Sequence, residues 1–311
     1  MPLTHCLLRL GPTATRQNVL VTLTDQDVFE QQRGRLFGIA YRMLGTATDA
    51  EDVIQDAWIR WSAVDQREID NPAAFLATIV TRLSLTALTS ARARRESYVG
   101  PWLPEPVSTE NDPLLGAERG EALSLAVLLL LERLSPPERG AYVLREAFQY
   151  SFSDIAAVLE VSEANARQLA SRARKHIEQE RHAEIAPAER NRLLGALVAA
   201  LESGELAALE ALLAEHVVTI SDGGGIVSAA RKAVFGRDRV ASFLAGILAK
   251  FAPDFTATPV SVNGEIALLG MRDGAIQSVV SLDFSPEGVA QIMIVLNPQK
   301  LMRLERHIRE G

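Results

Sequence analysis

SDIAAVLEVSEANARQLASRARKHI, residues 153–177, decides how this chain is read: two short helices joined by a tight turn, the second packed on one face and basic on the other. In the second helix Ala166, Leu169, Ala170, Ala173 and Ile177 recur at i, i+3, i+4, i+7 and i+11, the stripe of a helix lying on a neighbour. The opposite face carries Arg167, Gln168, Ser171, Arg172, Arg174 and Lys175. Ser162 stands where an N-cap belongs, and Glu163 suits the positive end of the helix dipole. Ser153 is expected to cap the preceding helix, which buries Ile155, Ala156 and Leu159. A DNA major groove about 12 Å wide accepts one α-helix, where Arg, Gln and Ser read base edges while Arg and Lys hold phosphates. Glu160 occupies the turn, where a glycine often sits; a left-handed residue there costs roughly 1–2 kcal/mol. The same pattern also fits an exposed face of a helical bundle, so the surrounding chain has to decide.

The length, 311 residues, suggests two or three domains, each able to bury its own core. Net charge is −7, so any nucleic-acid contact must come from local basic faces set against acidic ones. Cys6 is the only cysteine and the five histidines show no ligand spacing, which points away from disulfides, metals and cofactors. No apolar run approaches the ~20 residues of a membrane span, and no secretory signal opens the chain, so a cytoplasmic protein is expected. Residues 1–24 show no periodicity and read as a flexible tail or an artefact of an assigned start codon.

A helix is expected over 26–44, stopped by Gly45. Thr48 and Glu51 then form a capping box that opens a second helix through about Ser62. Its buried side is Ala50, Val53, Ile54, Ala57, Trp58 and Trp61. Asp49, Asp52 and Asp56 line up at i, i+3 and i+7 beside Glu51 and Gln55. Like charges at this spacing cost a few tenths of a kcal/mol per pair, so the ridge invites a basic partner unless it is an ordinary solvated face. After the polar loop 63–70, Asn71 and Pro72 open a helix of ~25 residues, roughly 37 Å long. Phe75, Leu76, Ile79, Val80, Leu83 and Ala87 form its packed stripe, and its far end, SARARRE, carries Arg92, Arg94 and Arg95. YVGPWLPEPVSTENDPLLG (98–116) holds four prolines, cannot be helical, and reads as an extended linker over 98–117 between two helical domains, 25–97 and 118–182. The second of these opens near Glu118 and contains another capping box at Ser135 and Glu138.

From 187 to 311 the pattern changes. A helix over 188–213 is followed by a strand over 216–221, the turn Asp222, Gly223, Gly224, Gly225, and a helix over 237–251. Strands follow over 257–262, 265–271, 275–284 and 289–296, separated by hairpin signals at Asn263-Gly264, Asp273-Gly274 and Pro286-Glu287-Gly288. Helices against a curved antiparallel sheet make an α+β cone with an interior pocket. The three glycines could cradle a phosphate, but no strand-to-helix P-loop follows them, so a tight turn is expected.

In this order, YRMLGTATDAEDVIQDAWIRW (41–61), NPAAFLATIVTRLSL (71–85) followed by SARARRE, and the helix-turn-helix resemble the sigma-70 superfamily of bacterial transcription initiation factors, specifically the extracytoplasmic-function group. The resemblance covers roughly 26–180. It implies that Asp49, Glu51, Asp52, Gln55 and Asp56, in sigma region 2, dock on the clamp coiled coil of the RNA polymerase largest subunit. It also implies that the loop 63–70 and the helix that follows hold the minus-ten element, with Arg82, Arg92, Arg94 and Arg95 on the DNA; single strands want such a basic groove with aromatic or apolar platforms. Region 4 would read the minus-thirty-five duplex through Arg167, Gln168, Ser171, Arg172, Arg174 and Lys175, and the linker would thread the polymerase. Thr86 and Thr89 stand where relatives commonly have Asp and Arg.

The words YVGPWLPEPV and the long C-terminal extension narrow the likeness to the sigma-J-like group, whose members end in a SnoaL-like domain of the nuclear-transport-factor type. In that group DGGG is typically followed by lysine; here Ile226 follows. The resemblance implies a non-enzymatic promoter-specificity subunit whose partners are core polymerase and promoter DNA, duplex and single-stranded, with no membrane. Its last domain would contact the sigma core as a built-in regulator, replacing a separate anti-sigma protein. An enzymatic cone would use Asp222, His216, Asp254 or Asp283, scattered polar residues that ordinarily are solvated or hydrogen-bonded. The rival for the whole chain is a free-standing operator-binding regulator with a ligand-sensing cone, which would have no use for the acidic ridge.

Overall fold

The computed structural model describes residues 25–109, 123–251 and 256–310. The tail expected over 1–24, the opening of the second helical domain near Glu118, and Asp254 lie outside the described residues. Three helices come first: α1 (Asp25–Leu44), α2 (Ala47–Ser62) and α3 (Pro72–Glu96). Gly45 ends α1 with a left-handed φ of 74°, and Asn71 caps α3 by accepting a hydrogen bond from the Ala74 amide, with Pro72 in the first turn. The cap of α2 is Thr46, not Thr48: its hydroxyl accepts from Asp49 N and donates to the Asp49 carboxylate at 2.6 Å.

Four helices follow, α4 (Leu125–Leu131), α5 (Pro136–Tyr142), α6 (Phe152–Leu159) and α7 (Glu163–Glu180), with a wide π turn at Val143–Ala147. The cap of α6 is Ser151 rather than Ser153, because only Ser151 has an acid three residues on, Asp154, to complete the reciprocal pair. Ile155, Ala156 and Val158 are its buried residues, and Leu159 is half-buried. Glu160 sits in the turn at φ 56°, ψ 45°, left-handed despite its side chain. Ser162 caps α7, and the whole expected stripe from Ala166 to Ile177 is buried.

The two helical groups are not separate bodies. Phe29, Tyr41, Ile54 and Leu76 belong to the same continuous core as Leu128, Val143, Ile155 and Leu169. Helix α3 lies between the groups, touching α1 and α2 on one side and α5 and α6 on the other. Its buried set, Leu76, Ala77, Val80, Thr81, Ser84, Leu88 and Ala91, is therefore wider than a single stripe. By length and composition α3 is apolar enough to cross a membrane; here it is the central strut of a helical core.

The C-terminal part begins with two helices, α8 (Pro187–Ser203) and α9 (Leu206–Leu212), broken at left-handed Gly204 where one continuous helix is expected. Then come β1 (Leu213–Asp222), β2 (Val234–Phe235), α10 (Arg237–Phe251), β3 (Thr256–Val262), β4 (Glu265–Arg272), β5 (Ala275–Ser285), β6 (Gly288–Val295) and α11 (Pro298–Glu310). The sheet order is β2-β1-β6-β5-β4-β3, and β1 runs parallel to β6, so the sheet is mixed rather than wholly antiparallel. Asn263-Gly264 and Asp273-Gly274 close two-residue hairpins with φ positive at both positions, the twist such turns require. One face of the sheet, with Leu268, Leu282, Ile292 and Ile294, packs under Leu197 and Leu244. The other face, with Ala267, Leu269, Val279, Met293 and Val295, packs under Leu301 and Leu304 of α11 and against Leu103 and Leu125. The second face thus closes on the rest of the chain.

Candidate polymerase and promoter interface

The linker is extended, as its prolines demand, but residues 103–107 are buried and held at three points, the first and third on the sheet and the second at the junction of α1 and α2. At the first point the Asp222 carboxylate, fully buried at the end of β1, accepts from Tyr98 Oη (2.6 Å) on one oxygen and from the Leu103 amide (2.9 Å) on the other. Lys300 Nζ, from the first turn of α11, reaches the same carboxylate at 2.6 Å and also donates to the Leu103 carbonyl. Asn297 Nδ2 donates to Tyr98 Oη at 2.8 Å. The turn Gly223 to Gly225 lets the backbone fold back here: the Gly224 amide donates to Asp222 at 3.1 Å, and a Cβ at Gly224 would stand 2.3 Å from Asn297 Nδ2. It is a tight turn rather than a phosphate cradle, and Ile226 after it is exposed. Burial lowers the Lys300 ammonium to about 8 against the pull of Asp222, and burial together with the Asp222 hydrogen bond pushes the Tyr98 phenol well up.

At the second point Glu105 accepts from the Ala47 amide (2.8 Å) at the start of α2, an anion at a positive helix end. Its own amide donates to the Gly45 carbonyl (2.9 Å), and its carbonyl accepts from Tyr41 Oη (2.6 Å). Burial raises the Glu105 carboxyl, and the Ala47 and Thr48 amides oppose that. At the third point Asn263, buried and left-handed in its hairpin, exchanges two hydrogen bonds with Val107 (3.1 and 2.9 Å) and donates through Nδ2 to Tyr41 Oη (2.7 Å) and the Leu123 carbonyl (3.0 Å). Ser108 pairs with Val262 beyond it.

The residues of the acidic ridge share one face of α2. Asp52, Gln55 and Asp56 are exposed. Asp49 pairs with Arg94 at 2.7 Å, and Glu51 takes Arg33 at 2.6 Å and Arg303 of α11 at 3.1 Å. Arg303 also lies over the Phe37 ring, so the last helix reaches the ridge.

The four arginines expected on minus-ten DNA are all occupied within the molecule. Arg82 donates to the Val158 and Ala157 carbonyls (3.0 and 2.9 Å) at the C-terminal end of α6 and pairs with Glu160 at 3.1 Å. Arg92 donates to the Leu134 carbonyl, Arg94 holds Asp49, and Arg95 pairs with Glu132 while donating to the Leu44 carbonyl. Thr86 and Thr89 are exposed, and the Thr86 hydroxyl only closes back on the Arg82 carbonyl.

The basic face of α7 is open. Arg167, Gln168, Ser171 and Arg172 line one shallow depression. Arg167 bonds Glu163 of its own first turn and lies over Phe152, while Arg172 and Arg174 lean on Glu138 and Glu146. Lys175 is exposed beside them. Among the four polar residues an enzymatic cone would use, Asp222 is committed to the linker, Asp283 pairs with His182 at 2.7 Å, and His216 is exposed. Sequence reasoning missed Tyr98, Glu105, Asn263, Asn297 and Lys300, and it missed α11 altogether. One signal was there, since Asn297-Pro298 repeats the Asn71-Pro72 pattern that opens α3.

Residues 28–94 match sigma-70 region 2, and residues 124–177 match sigma-70 region 4. The chain is 42% identical over 246 residues to the ECF RNA polymerase sigma factor SigJ of Mycobacterium tuberculosis, covering 76% of this chain and 78% of that protein. It is 30% identical over 283 residues to the probable ECF RNA polymerase sigma factor SigI of the same organism, covering 90% and 95%. The crystal structure of Mycobacterium tuberculosis extracytoplasmic function sigma factor SigJ superposes with a TM-score of 0.72 at 35% identity, over 88% of this chain and 97% of that one. With both sigma regions in order, a helix-turn-helix in the second and an α+β domain behind them, the chain belongs to the extracytoplasmic-function sigma factors of the sigma-70 family, alternative initiation factors without enzymatic activity that bind RNA polymerase and promoter DNA.

Proposed function

We propose that this sigma factor carries its own restraint: the C-terminal SnoaL-like domain (187–311) holds the linker and thereby keeps regions 2 and 4 closed on each other, in place of a separate anti-sigma protein. The observation that carries this reading is the buried Asp222 carboxylate, which binds Tyr98, the Leu103 amide and Lys300 at once. A linker that must thread the polymerase cannot do so while gripped there, and arginines that must meet DNA cannot while they hold α6 and Glu132. Region 2 (25–97) docks on the clamp coiled coil of the polymerase through Asp49, Glu51, Asp52, Gln55 and Asp56. Arg82, Arg92, Arg94 and Arg95 hold the minus-ten strand once region 4 (118–182) has moved away. Arg167, Gln168, Ser171, Arg172, Arg174 and Lys175 read the minus-thirty-five duplex, and the protein works in the cytoplasm. The test is promoter-dependent transcription by core polymerase with limiting factor, comparing the full chain with Asp222→Asn and Lys300→Met. Both variants are expected to initiate more than the parent. Equal or lower initiation by both, with unchanged binding to core, refutes the restraint.

A further inference from the structure

The restraint and the closed interface meet at one place. Glu132, at the end of α4, accepts from Arg139 Nη1 at 2.5 Å and pairs with Arg95 of α3. Arg139 is fully buried and donates through Nε to the Arg42 carbonyl at 3.0 Å, so one carboxylate serves two largely buried guanidiniums from opposite sides of the interface. Burial lowers both, Arg95 and Arg139, to about 9. On its other side Arg95 lies 3.8 Å from the centre of the Trp102 ring, and Lys300 lies 4.4 Å from the same ring. The linker indole thus touches both a cation of region 2 and the cation that grips Asp222. Gly45 makes this convergence possible: a Cβ there would stand 2.8 Å from Trp102 and 3.4 Å from Glu132 Oε1, at a φ of +74° that already disfavours a side chain.

We infer that Glu132, Arg95 and Trp102 form a coupling node, so that release of the linker by the C-terminal domain and separation of region 4 from region 2 are one event. Moving Glu132 away leaves two buried guanidiniums without a carboxylate, a state that persists only if Arg95 also leaves. Arg95 cannot leave without abandoning Trp102, which strips the linker indole of one of its two cations and weakens the linker's hold. Run in reverse, lifting Trp102 out with the linker uncovers Arg95 and weakens its hold on Glu132. Coupling of this kind is reciprocal. The inference rests on the linker grip being the restraint, and its test separates the two.

The test is amide hydrogen exchange on the full chain. Among the described residues Glu132 bonds Arg95 and Arg139 and none of the linker. Glu132→Gln is nevertheless expected to speed exchange at Leu103 and Val107 by about 5- to 150-fold, the usual span of coupling between sites. Lys300→Met is expected to speed exchange at Leu134 and Arg139 by a similar factor. If Lys300→Met leaves Leu103 and Val107 unchanged, the linker restraint itself is wrong. If Lys300→Met frees the linker but not Leu134 and Arg139, and Glu132→Gln frees region 4 but not the linker, the node is wrong and the restraint stands. Should Glu132→Gln unfold region 4, seen as lost protection throughout α7, Trp102→Leu decides instead. Made in the linker, it must speed exchange at Arg139, and unchanged exchange there overturns the node.

Discussion

Replacing Asp222 by asparagine keeps the side chain's shape and removes its charge. The carboxylate accepts from Tyr98, Leu103 and Gly224 and faces Lys300 at 2.6 Å in a site with no solvent exposure at Asp222. An amide there presents donors to at least one of those donors and leaves Lys300 buried without its counter-charge. Breaking one side of a buried pair costs about 3–5 kcal/mol. Lys300 sets the upper limit, because it can enter the closed state neutral. From its ordinary 10.5, shedding the proton at pH 7 costs about 5 kcal/mol, and at pH 9 only about 2 kcal/mol. At pH 7 the open population therefore rises by about 10² to 4 × 10³ at 1.4 kcal/mol per tenfold. The assay is native-state proteolysis of residues 98–109, whose rate follows the open population when cleavage is slow. Asp222→Asn is expected to be cleaved faster by that factor at pH 7 and by markedly less at pH 9 relative to the parent. Adding Lys300→Met to it should cost less than the two changes summed. Equal cleavage of parent and variant, or a defect as large at pH 9 as at pH 7, refutes the reasoning.

Two other outcomes follow from the same geometry. Where region 4 meets the sheet, a cavity of about 50 Å³ is lined by Ser124, His182, Arg190, Glu265 and Asp283 among others. Burial raises Glu265 to about 7, and the hydrogen bond to Asp283 raises His182. Both values lie above those of the unfolded chain, so both contributions are whole at low pH and are lost as pH rises through the folded values. Protection of β4 and β5 amides should fall between pH 5 and 7.5, with a shallower slope in Glu265→Gln; a rise over that range contradicts the assignment. On the recognition helix, Arg167→Ala should cost a specific duplex about 1–3 kcal/mol if it reads a base, and Lys175→Ala should lower the salt slope by about 0.9 if it holds a phosphate. Unchanged affinity and slope in both variants would put the DNA on another face.

The local rules carried far. Asn71-Pro72, Ser162, Gly45 and the stripe from Ala166 to Ile177 act through neighbours three or four residues away, and each does in the fold what its spacing implies. Thr48 and Ser153 misled because a second hydroxyl stood two residues earlier. In the case of α2 the deciding partner is Glu105, 58 residues from Ala47. The linker shows the limit most clearly: its prolines fix an extended backbone, but nothing nearby says whether that backbone is solvated. Its Leu103 and Val107 amides are satisfied by Asp222 and Asn263, 119 and 156 residues away. The same holds for the arginines of α3, which read as a basic face and are spent on carbonyls and carboxylates of other helices. The parallel pairing of β1 with β6 likewise depends on a return across the whole sheet.

The central claim is a sigma factor closed by its own C-terminal domain, and a distance reads it directly. Fluorophores on the exposed face of α2 and the outer face of α7 in the full chain report whether regions 2 and 4 are together. A single short-distance population is expected for the free parent protein, with a long-distance population appearing in Asp222→Asn and, for the parent, on addition of core polymerase. A distance unchanged by the substitution and by polymerase would contradict the account.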